Sequence, residues 1–211
     1  MPLRWWLRRA LVRHGEVDVV IEQQPEHPMA SQLRRVVLET AEQVMREAGA
    51  VPPPTVHIFI DTMDPPYAGY VTSRQFRRGA DAAAAIARLG ELPASMYATR
   101  LLVAWEHADL MTALQAPGEV FPTAIVTVEA TFDGHVLHWH PYDFAWGPTG
   151  SLGVPTVQPT WRPTLVRRDG GLPEPIRAAL ERWRDLDGGD FEPTVLALQR
   201  DGYRLNFTAR R

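Results

Sequence analysis

Hydrophobic and polar positions along this chain alternate between helical and strand periods. Residues 3–13 (LRWWLRRALVR) place Leu3, Trp6, Leu7, Ala10 and Leu11 on one face and four arginines on the other. That pattern predicts a basic amphipathic helix, with a hairpin strand running into residues 16–22 (EVDVVIE) as the alternative. The clearest helix is entered at Pro28, where Leu33, Val36, Val37, Thr40, Ala41, Val44 and Ala48 recur at helical spacing before Gly49. Pro52, Pro53 and Pro54 then lead into a buried-type strand over residues 56–61. A turn-rich loop follows, carrying Asp64-Pro65-Pro66 and the aromatics Tyr67 and Tyr70.

Further along, residues 81–89 read as an Ala-rich helix, 100–105 as a buried strand and 107–114 as a helix. Residues 123–140 form a β-hairpin with a two-residue turn at Asp133-Gly134. Residues 143–171, rich in Gly and Pro, read as a long loop holding Trp146 and Trp161. A helix with Ile176, Ala179, Leu180 and Trp183 on one face comes next, and a second Asp-Gly hairpin at Asp201-Gly202 closes the chain. The order predicts a single α+β domain over residues 1–211, a mixed β-sheet with helices packed on it and two antiparallel Asp-Gly hairpins in the C-terminal half.

Composition narrows the chemistry. The 22 basic residues are all arginine, and neither lysine nor cysteine occurs. Thiol nucleophiles, thiolate metal sites, the P-loop lysine and Schiff-base chemistry are therefore excluded. Drift in a GC-rich genome explains the missing lysine more simply than avoidance of a lysine-tagging activity. A net charge of −3 supplies no global attraction to nucleic acid. No apolar run approaches the ~20 residues of a bilayer span, so the expected location is the cytoplasm. Residues 3–13 offer a membrane-surface contact as the lesser alternative to packing on the domain.

The first hairpin yields a metal candidate. A two-residue turn pairs Glu129 with His138 and Thr127 with His140 on one face, and sends Val126, Val128, Ala130, Leu137 and Trp139 to the other. Glu129, His138 and His140 then form a His/His/carboxylate set suited to a divalent ion such as zinc or iron. A solvated polar sheet face accounts for the same residues without a metal, and the expectation is no cofactor. Glu106, His107 and Asp109, at a strand-to-helix junction, fit capping and dipole roles ahead of catalysis. Residues 147–153 (GPTGSLG) lack the lysine and the helix of a phosphate loop.

No motif fixes a reaction. The sequence points to a non-catalytic binding or interaction protein, an adaptor, antitoxin-like or regulatory partner. Its protein partner is met through Trp146 and Trp161 in residues 143–171. A metal-dependent enzyme on the hairpin face is the alternative.

Overall fold

The computed structural model describes residues 27–115 and 119–208; the predicted helix or strand at 3–13 and the strand at 16–22 lie outside them. Helix α1 (Pro28–Ala48) opens the described chain. Strands β1 (Thr55–Phe59) and β2 (Tyr67–Thr72) come next, followed by α2 (Ala80–Ala87), a 3-10 turn and α3 (Glu91–Ser95). Strand β3 (Arg100–Glu106) runs into α4 (His107–Leu114), and β4 (Ala124–Ala130) pairs with the long β5 (His135–Thr149). After β6 (Pro155–Trp161) and β7 (Leu165–Arg168) come α5 (Glu174–Arg184), α6 (Phe191–Arg200) and β8 (Arg204–Phe207).

The expected α+β fold is present: eight strands in the order β6-β5-β4-β3-β1-β2-β8, with β7 also on β5, and helices packed around them. Every ladder is antiparallel, so the sheet is not mixed in strand direction. The alternation of strand and helix in the first half does not build parallel βαβ units. β1 and β2 pair directly, and helices α2 and α3 pack on one face between β2 and β3.

Both sheet faces are covered. Val56, Ile58, Leu101, Val103, Trp105, Val126 and Val128 meet Ile86, Leu89, Ile176, Leu180 and Trp183 in the main core. On the other face, α1 sets Ala41 and Met45 on Ile125 and Tyr142, and Ala30 on Phe59 and Leu102. A strand buried on both sides has no need to alternate in polarity, which explains the near-continuous apolar runs of β3 and β4. Gly49 ends α1 at φ 67°; a side chain there would also strike the Pro155 carbonyl, 2.2 Å from its Cβ position. No helix among the described residues is long and apolar enough to cross a membrane.

Three predicted elements are corrected. Tyr67 and Tyr70 belong to β2, not to a loop. Asp201-Gly202 is not a hairpin turn: Asp201 caps α6, and the strand after it pairs with distant β2. Gly69 permits that pairing, because a Cβ there would lie 2.1 Å from the Asn206 carbonyl. Residues 143–171 are not a structureless loop but the outer half of β5, all of β6 and β7. Proline survives in β6 because an edge strand tolerates a missing donor.

Candidate functional site

The β4–β5 hairpin keeps its predicted faces but not its predicted register. Ala130 pairs with His135, Val128 with Leu137 and Thr127 with His138, so the connection is four residues, 131–134, rather than two. A slip of two residues preserves which side each residue faces. It also separates the predicted partners: Glu129 lies across from Val136, and His140 across from Ile125.

The polar face expected to meet water is instead buried. Glu129, His138 and His140 are each less than a tenth exposed, and each has its own partner. The Glu129 carboxylate accepts from Arg100 Nη1 at 2.6 Å. Arg34 of α1 reaches across to His138, its Nη1 3.0 Å from Nε2. A guanidinium only donates, so this nitrogen accepts. His140 Nδ1 contacts Thr164 Oγ1 at 2.9 Å, and its ring stacks parallel to that of His138 with centroids 6.2 Å apart. Burial, then the neighbouring His138 and Arg34, lowers the His140 pKa to about 4. Among the described residues no group of three or more His, Cys, Asp or Glu side chains is placed to hold a metal ion. Glu129, turned to Arg100, does not complete the predicted set.

Glu106 also has its donors. Its carboxylate accepts from the Asp109 N–H, the Ala124 N–H at 3.2 Å and the Tyr142 hydroxyl at 3.1 Å. It thus caps α4 and ties that helix to β4 and β5. Burial raises its pKa, while these bonds oppose the shift.

The two tryptophans of residues 143–171 separate. Trp161 is tucked toward α1: Nε1 donates to Glu42 at 2.7 Å, and the ring meets Tyr142 edge-on at 5.5 Å. Trp146 is 67% exposed and packs edge-on against Phe144, itself 42% exposed, with centroids 5.1 Å apart. Both stand on the arm formed by β5 and β6 beyond Tyr142, which also exposes Leu152 and Val154 near its turn. The arm is anchored where Ser151 N–H donates to the Glu47 carbonyl at the end of α1. On one edge, β5 is paired first with β7 and then with β6. On the other, the ladder with β4 ends at Pro141 of β5, and among the described residues no strand pairs with residues 143–149 on that side. The proline-rich composition concealed this arm; the apolar residues at even positions 142, 144 and 146 were the available strand signal.

The chain matches no family model, no curated protein and no solved structure.

Proposed function

We propose that this chain is a non-catalytic interaction protein of the cytoplasm whose β5–β6 arm binds a protein partner. The observation that carries the reading is Trp146, two-thirds exposed on regular structure and braced by Phe144. A tryptophan left in water forgoes a large burial term, and Trp is the residue most enriched at binding hot spots. The β5 edge beside it, with which no strand pairs among the described residues, offers backbone donors and acceptors. The partner that fits is an extended peptide segment with apolar side chains, added as a strand next to β5. Anchoring of the arm to α1 through Ser151 and Trp161 fixes this surface before binding, which lowers the ordering cost.

A photo-crosslinking residue at Ala145 in the full chain identifies the partner and its contact. The Phe144→Ala/Trp146→Ala protein is then expected to bind that partner at least about thirtyfold more weakly, the effect of a hot spot of roughly 2 kcal/mol. Its stability should change by no more than about 0.5 kcal/mol, because both rings are exposed. Trp161→Phe gives the reverse expectation. It keeps a smaller aromatic ring and loses the N–H to Glu42, destabilising the fold by about 1 kcal/mol while weakening binding far less than the double variant does, because Ser151 still anchors the arm. Undiminished affinity in the folded double variant would refute the arm as the binding surface.

A further inference from the structure

Helix α1 packs on β3, β4 and β6, and beside β1 and β2 it leaves a cavity of about 260 Å³. The helix side is apolar, with Leu33, Val36 and Val37; the sheet side presents Thr55, His57, Tyr70 and Thr72. Much of that polar surface is already satisfied. Thr55 and Thr72 bond each other at 3.1 Å, and Thr55 also donates to the Pro53 carbonyl. His57 Nδ1 shares a hydrogen bond with the Tyr67 hydroxyl at 3.1 Å. The second ring nitrogen, Nε2, has no such partner among the described residues, and the Tyr70 ring flanks the imidazole at 5.7 Å.

Of the groups left without a hydrogen-bond partner among the described residues, which also include the Tyr70 hydroxyl, the His57 ring narrows what would fit. Depending on how the proton is shared with Tyr67, Nε2 either donates or accepts. A ligand hydroxyl satisfies both cases, because it can do either. Charge selects further. Burial holds the His57 pKa at about 4, so the ring is neutral near pH 7 and offers no counter-charge to an anion. The Glu106 carboxylate in the same wall would repel one. Its oxygens already accept from Asp109, Ala124 and Tyr142, which leaves little to repay the dehydration of a cation. A dry cavity of roughly 150 Å³ is enough for benzene; this one has space for a single ring with a short chain.

We propose that this cavity binds a small, uncharged molecule of single-ring size bearing one hydroxyl, with the hydroxyl hydrogen-bonded to His57 Nε2. The site is separate from the β5–β6 arm and does not depend on the reading given to it.

Calorimetric titration of the full chain with para-propylphenol, propylbenzene and para-propylbenzoate tests the proposal. The phenol is expected to bind roughly fivefold more tightly than the hydrocarbon, the effect of one net hydrogen bond. The benzoate should bind most weakly of the three. In His57→Phe the preference for phenol over hydrocarbon should vanish. Thr40→Trp, an exposed rim position on α1, should block both ligands without disturbing the core, and so provides a test even if His57→Phe fails to fold. Equal affinity for phenol and hydrocarbon in the wild-type chain, benzoate binding as tight as phenol, unchanged binding by Thr40→Trp, or no saturable binding by the folded full chain would each overturn the assignment.

Discussion

Replacing Arg100 by alanine is expected to destabilise the protein by about 3 kcal/mol, because it strands a buried carboxylate. Glu129 has only 8% of its side chain exposed, and its ion pair with Arg100 Nη1 is 2.6 Å long. The partner itself is about one-fifth exposed, which places the effect at the low end for severed buried pairs. The intact pair contributes far less than this loss suggests, since desolvation offsets most of its attraction. Arg100 Nε is moreover buried without a hydrogen-bond partner among the described residues, a further cost. The double variant Arg100→Met/Glu129→Leu should therefore recover most of the stability lost in Arg100→Ala. Urea unfolding of the three proteins decides the matter. A double variant as unstable as the single one would show that packing, not the uncompensated charge, sets the loss.

The sequence was most legible where a period ran unbroken and a cap closed it. Helices α1, α4 and α5 and strand β3 stand close to their predicted positions, because apolar spacing reports burial directly. The first Asp-Gly pair located a hairpin but not its register. Phe132, next to the predicted turn, packs at a tilt against the fully buried Trp183 of α5, with ring centroids 4.9 Å apart. Arg184 donates to the Thr131 and Gly134 carbonyls of the same connection. Contacts from a helix some fifty residues away thus hold the four-residue loop, and turn propensity contains no trace of them. The second Asp-Gly pair shows the same limit. Gly202, at φ 94°, follows the end of α6, where glycine is common, and Thr194 with Leu198 stand at the i, i+4 spacing of its buried face.

The candidate site was half legible for a related reason. Strand alternation gathered Glu129, His138 and His140 on one side, and the structure keeps them there. Which layer covers that side was not encoded locally. The apolar stripe of α1 predicted that it would bury something, without naming the face, and Arg34 meets His138 from 104 residues away. Trp146 and Trp161 were indistinguishable as sequence symbols. The location of Glu42 and of the Tyr142 ring, both within reach of Trp161, separates the tethered indole from the displayed one.

Burial of neutral imidazole makes the fold sensitive to mild acid. His57 and His140 titrate at about 4 in the folded protein against an ordinary value of 6.5. As pH falls below about 6.5, the unfolded chain takes up protons that the folded chain refuses until near pH 4. Through these imidazoles the unfolded state binds more protons throughout that window, and their contribution to stability rises with pH across it; Glu106 and Asp109, whose pKa values burial raises, oppose this in part. The contribution is complete above pH 6.5, declines between 6.5 and 4, and is gone below 4. For His57 alone the loss amounts to roughly 3 kcal/mol, at about 1.4 kcal/mol per pH unit. His140 adds to it, as does His107, whose pKa burial also lowers. The carboxylates held low by arginine, such as Asp81 and Asp201, act in a separate and more acidic window, below their ordinary value of 3.8. Chemical unfolding at steps from pH 7 to 4.5 should consequently show a steep decline well before those carboxylates protonate. His57→Phe should flatten the slope, and any constant offset from losing the Tyr67 contact should appear equally at every pH. A wild-type stability that stays level from pH 7 to 4.5 would contradict the burial of neutral histidine in the native state.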